Sequence, residues 1–238
     1  MKAPKHEMFV ADFTGPLDGV LGRDLMQNYD IEMDFASGKL SYFLTDHCPG
    51  RVVHWATSGI TSVDFKGWDN NSAQRFLTVP VTINGHEVYA VINTTLPGTI
   101  FDADTARTLF SLTADSPGAV PLGALDSNPN HRIFGITLQT LKIGGMTLRN
   151  TKMNVIPDLI GTRSEDMLRA DSRVQRITDE FLPTMQIGMD VLNRLHLYVA
   201  TKEGRIYFTA ATGQAVNSIP PPGQAPPAAP AAAEASPR

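Results

Sequence analysis

Three features of the sequence predict a mainly β fold with only short helices. Apolar and polar residues alternate in runs such as Leu77-Thr78-Val79-Pro80-Val81-Thr82-Ile83, the period of a half-buried strand. Two such runs meet at Asn84-Gly85, a pair that readily takes the positive φ angles of a tight hairpin. A third feature is a unit of strand, Gly-x-Asp, short helix and hairpin that occurs near both ends of the chain, the mark of an internal repeat.

The first copy lies within Asp12 to Phe43: Gly19-Val20-Leu21-Gly22-Arg23-Asp24-Leu25-Met26, the alternating run Tyr29 to Phe35, and a turn at Gly38. The second runs from Gln186-Ile187-Gly188-Met189-Asp190-Val191-Leu192 through Leu195 to Val199, then turns at Gly204 into Ile206-Tyr207-Phe208. Gly22 corresponds to Gly188, Asp24 to Asp190 and Gly38 to Gly204, all at one offset. The glycine lets a strand turn closely into a helix, and the aspartate serves the helix's first free N–H groups. Asp24 and Asp190 therefore read as structural.

Between the copies, Asp46, His47, Cys48 and His54 have the side chains of a zinc site. A structural zinc site needs a second well-spaced pair, which this stretch lacks. Residues 46–75 are read as a linker, and no metal or cofactor is expected.

The hairpin at Asn84-Gly85 feeds Glu87 to Ile92 into a turn of small polar residues, Asn93-Thr94-Thr95-Leu96-Pro97-Gly98. A short helix follows, with Asp102 or Asp104 at its cap. Further on, a hairpin is expected over Gly135 to Leu148 around Gly144-Gly145, a strand over Met153 to Leu159, and an amphipathic helix within Thr162 to Phe181. From Ala211 onward the chain holds seven of its 17 prolines without apolar periodicity, so residues 212–238 read as a disordered or polyproline-like tail.

The 238 residues are 42% hydrophobic, enough for one full domain and additional material. A net charge of −4, with Lys and Arg scattered, gives no electrostatic footprint for nucleic acid or an anionic membrane, so neither is an expected partner. Cys48 is the single cysteine, which excludes an intrachain disulfide. No run approaches the roughly 18 apolar residues of a membrane span, and Met1 to His6 is not followed by a signal-type apolar core. No secretion signal is expected, and the compartment stays open. His86, His131 and His196 lack a Gly-x-Ser-x-Gly companion, and no phosphate-cradling glycine loop is present.

The frame Ala90-Val91-Ile92, small polar turn, Thr99-Ile100-Phe101 resembles the active-site segment of retropepsin-type aspartic proteases, in which a strand ends in Asp-Thr-Gly or Asp-Ser-Gly. The two Gly-x-Asp units resemble the segment that closes a domain of that family. About 95 residues separate Asn93 from Gly188, a spacing that suits one such domain. The resemblance implies a retropepsin-like closed barrel over 76–211, preceded in 1–45 by the C-terminal part of a first, N-terminally truncated copy. The turn-rich stretch Leu112 to Ile133 would then form a flap, and relatives of this type are often exported.

The aspartate position holds Asn93, the glycine position holds Thr95, and Thr94 lies between them. Enzymes of this family use two carboxylates that share a proton and activate a water. An amide holds a hydrogen bond but does not take up and return a proton near neutral pH. The resemblance thus implies a degenerate aspartic protease homologue without peptidase activity, retaining a peptide-binding or structural role through a β-rich cleft. The alternative is an active aspartic endopeptidase that draws on a complementing retropepsin-like chain, or on Asp102, Asp104 or Asp190. Strand edges left open by the missing half would drive dimerisation.

Overall fold

The computed structural model describes residues 22–67, 76–125, 131–157 and 183–211. Helix α1 (Arg23–Met26) leads into strands β1 (Asp30–Asp34), β2 (Lys39–Phe43) and β3 (Thr61–Asp64). Next come β4 (Thr78–Ile83), β5 (His86–Ile92), β6 (Ile100–Asp102), helix α2 (Ala103–Phe110), β7 (Val120–Ala124), β8 (Arg132–Ile143) and β9 (Met146–Ile156). The last elements are β10 (Met185–Ile187), helix α3 (Met189–Leu192), β11 (Leu195–Ala200) and β12 (Arg205–Ala210). The helix expected within 162–181, the tail 212–238 and the segment ahead of Gly22 lie outside the described residues.

The larger sheet has the order β4-β5-β10-β6-β9-β8-β7, and β4 also pairs with β8, so six of its strands close into a barrel. Buried residues alternate along much of β4, β8 and β9, as the two-residue period of a strand requires. Val79, Val81 and Ile83 of β4 meet Leu141, Ile143, Phe101, Val155, Met185 and Ile187 in one apolar core. Asn84 (φ 47°) and Gly85 (φ 88°) make the tight turn between β4 and β5. Asp102 caps α2 by accepting from the Thr105 backbone N–H at 2.9 Å.

β8 and β9 form a long hairpin that turns at Gly144-Gly145. The strand expected over 153–159 is, as far as Ile156, the end of this same β9, because Phe134 to Ile143 pair with Val155 to Met146 in one register, and residues 158 and 159 lie outside the described residues. A Cβ on Gly144 would lie 2.7 Å from the Ser62 carbonyl oxygen, so the hairpin tip packs against β3 at a distance only glycine allows.

The smaller sheet, β2-β1-β11-β12-β3, brings the two copies of the repeat together. Antiparallel β1 and β11 place Ile31 opposite Val199, Glu32 opposite Tyr198 and Met33 opposite Leu197. The repeat offset is 166 residues, so Glu32 corresponds to Tyr198 itself. An approximate two-fold axis therefore passes between these two residues and exchanges the copies. Under the same offset α1 coincides with α3, and Gly38 and Gly204 share a φ of 66°, the left-handed conformation that suits glycine.

Alternation gives this sheet two different faces. Ile31, Met33, Leu197, Val199, Ile206 and Phe208 join the barrel core. On the other face Tyr198, Ala200 and Tyr207 pack with Val52, Phe43, Val53 and Trp55. Residues 46–67, within the stretch read as a linker, thus supply β3 and a cover over the second face.

Candidate functional site

β5 and β10 run parallel, with Ile92 beside Ile187, and both strands end at the turn singled out in the sequence. The Asn93 N–H donates to the Ile187 carbonyl at 3.0 Å. Its side chain is half-buried and engaged at both ends. Oδ1 accepts from the Thr95 N–H at 3.0 Å and from Thr95 Oγ1 at 2.7 Å, while Nδ2 donates to Gln186 Oε1 at 2.8 Å. Asn93 therefore forms a local side-chain turn of the kind asparagine favours, with an amide that is both donor and acceptor where a carboxylate only accepts. Thr94 and Thr95 are exposed.

The rest of the turn is pinned to α3. Gly188 lies so close that a Cβ there would sit 2.5 Å from the Gly98 carbonyl oxygen. Thr99 Oγ1 accepts from the Gly188 N–H at 3.1 Å and donates to Asp190 Oδ1 at 2.7 Å. Asp190 also receives the Val191 N–H at 2.9 Å, and the Met189 and Asp190 N–H groups donate to the Leu96 and Pro97 carbonyls. The structure brings Asp190 into the same loop network as Asn93, in a structural role at the start of α3.

Asp102 and Asp104 are held elsewhere. Asp102 takes both the N–H and the hydroxyl of Thr105, and Asp104 pairs with Arg107 one turn along the helix. Concave surfaces lie along α2 at Asp104 to Leu109, and where Asn150, Thr151 and Lys152 face Asp190, Val191 and Arg194. Neither includes Asn93. In the stretch expected to form a flap, β7 pairs with β8 as a hairpin arm that leaves Val120 and Leu122 exposed. Arg132 of β8 anchors the preceding loop through a two-pronged pair with Asp115, at 2.8 and 2.6 Å.

The outward face of the smaller sheet carries a second polar cluster. Buried Glu32 meets His196 Nε2 at 2.9 Å and lies 3.7 Å from His54. Buried Asp30 receives the Thr201 N–H at 2.8 Å and the Tyr198 hydroxyl at 3.2 Å, and pairs with His47. Glu203 accepts the Gly50 N–H and the Tyr207 hydroxyl. Burial, then the charge of Asp30 and the hydrogen bond to it, push the Tyr198 phenol well above its ordinary range. His47 thus joins the covering segment to the sheet by way of Asp30 and Glu203, His54 approaches Glu32 without a hydrogen bond, and Cys48 is exposed. Among the described residues no three such groups converge as a metal requires.

Gln186 is the partner that reading along the chain did not assign to the site, since it lies 93 residues from Asn93. Its place two residues before Gly188 in the closing unit was the available signal.

No protein-family model matches the chain, and no curated protein matches it. Among solved structures, a retropepsin-like aspartic protease from Rickettsia conorii is a distant neighbour, with a TM-score of 0.41 and 14% identity over 64% of this chain and 91% of that one.

Proposed function

We propose that this chain is a retropepsin-like aspartic protease homologue without peptidase activity, retained as a peptide-binding or structural module. The observation that carries the reading is the Asn93 amide, held at one end by Thr95 and at the other by Gln186. A side chain fixed in this way positions a neighbour and cycles no proton. In this reading residues 76–211 are the complete barrel domain and 1–45 the end of a preceding copy. The expected ligand is an extended peptide segment held by backbone hydrogen bonds.

The test compares the chain with a double variant, Asn93→Asp and Thr95→Gly, on a mixed peptide library between about pH 3 and 7, the range in which a carboxylate pair cycles. The chain as it stands should leave the library intact. Cleavage by it, blocked by a pepstatin-type transition-state mimic, would overturn the proposal. Cleavage by the double variant alone would identify Asn93 as the residue that silences the scaffold.

A further inference from the structure

The approximate two-fold axis allows the environments of corresponding residues to be compared directly. β12 has β1's partner β11 on one side and β3 on the other, with Arg205 opposite Asp64, Ile206 opposite Val63 and Phe208 opposite Thr61. The Arg205 guanidinium reaches the Asp64 carboxylate at 2.7 Å. β2 is the copy of β12: Lys39 corresponds to Arg205, Leu40 to Ile206 and Tyr42 to Phe208. Among the described residues β2 ends the sheet, with no strand on its outer side.

The consequence is visible in exposure. Ile206 and Phe208 are 2% and 1% exposed, whereas Leu40 and Tyr42 are 46% and 38% exposed, followed by Leu44 at 52%. Leu40 and Tyr42 stand on the same side of the sheet as their partners Met33 and Ile31. Tyr42 is held in place by an edge-to-face contact with Tyr29, centroids 5.8 Å apart. A lysine on an edge strand by itself is an ordinary guard against aggregation. Here the cation also occupies the position at which the other copy binds an aspartate.

We infer that the outer edge of β2 is a strand-docking site for a second polypeptide, which would add an extended segment antiparallel to β2 with an apolar residue opposite Leu40 and a carboxylate next to it, opposite Lys39. Backbone hydrogen bonds supply affinity in such strand addition, and alternate side chains supply selectivity. The β3 segment of this same chain shows the pattern that fits, Thr61-Ser62-Val63-Asp64, but that segment is held on β12. The inference does not depend on the state of the Asn93 turn.

The experiment uses a fluorescent peptide of residues 59–66 titrated against the full chain, read by polarisation. Binding is expected, with Lys39→Glu weakening it about fivefold, the scale of one cross-strand charge pair. A peptide carrying Asp64→Lys should recover affinity for that variant. Absence of binding would overturn the inference. So would binding that Arg205→Glu abolishes and Lys39→Glu leaves unchanged, since the peptide would then be exchanging with β3 at β12. A stable dimer in sedimentation that excess peptide fails to dissociate would assign the edge to a second copy and overturn it as well.

Discussion

The indole of Trp55 lies flat on the imidazole of His196, ring centroids 3.9 Å apart and planes 8° from parallel, while its Nε1 donates to Thr209 Oγ1 at 3.0 Å. His196 is in turn hydrogen-bonded to buried Glu32. One side chain from the covering segment therefore closes a polar cluster that would otherwise meet water. Trp55→Ala should destabilise the fold by about 2 to 3 kcal/mol, and Trp55→Phe, which keeps a stacked ring and loses the hydrogen bond, by about 1 kcal/mol. Urea midpoints of the two variants measure the difference. Equal, negligible effects would mean that the segment is not held through this residue.

Gly188 and Gly38 separate two reasons for a glycine. At Gly188 a Cβ meets the Gly98 carbonyl at 2.5 Å, backbone against backbone. Gly38 has open space around it and a φ of 66°. Gly38→Ala should cost about 1 kcal/mol of left-handed strain, while Gly188→Ala should cost about 3 kcal/mol or more, because the Asn93 turn and α3 would have to move apart. Thermal unfolding of both variants decides it, and a Gly188→Ala protein as stable as Gly38→Ala would contradict the packing of the turn on α3.

Tyr198 governs the alkaline limb of stability. Burial and then Asp30 raise its phenol above the ordinary value of 10.0, so the folded chain keeps this proton to a higher pH than the unfolded chain does. That contribution is fully present below pH 10.0 and is lost as the pH rises through the folded value. Tyr42 and Tyr207 are shifted in the same direction, each first by burial. Tyr198→Phe should lower stability at neutral pH, since Asp30 loses a donor, yet show a smaller fall than the parent as the pH rises from 10.0 to about 12. A parent with a flat profile over that range would be inconsistent with the burial of this phenol.

Local chemistry made much of the fold readable. The Asn84-Gly85 turn, the alternating β4 and β5, the Asp102 cap and both Gly-x-Asp units rest on φ preferences, period-two patterning and capping, all of which act within a few residues. The offset between the copies was legible for the same reason, since each copy repeats the same local requirements. The site was half legible: Asn93, Thr94 and Thr95 stand out along the chain, whereas the partner of the Asn93 amide, Gln186, comes from a strand that reaches it only through the parallel pairing of β5 with β10.

Long-range packing settled the rest. Leu40 and Ile206 are equivalent apolar residues at equivalent positions in strands of similar pattern, yet one is exposed and the other buried, because the barrel core and β3 cover β12 and leave β2 at the edge of the sheet. The histidines of the 46–55 stretch read along the chain only as an incomplete zinc set or as polar residues of a linker. They come beside carboxyl groups once alternation turns Asp30 and Glu32 away from the barrel, where a buried polar group needs a companion. Patterning specifies which residues lie on a common face, and the fate of that face depends on which distant segment comes to cover it.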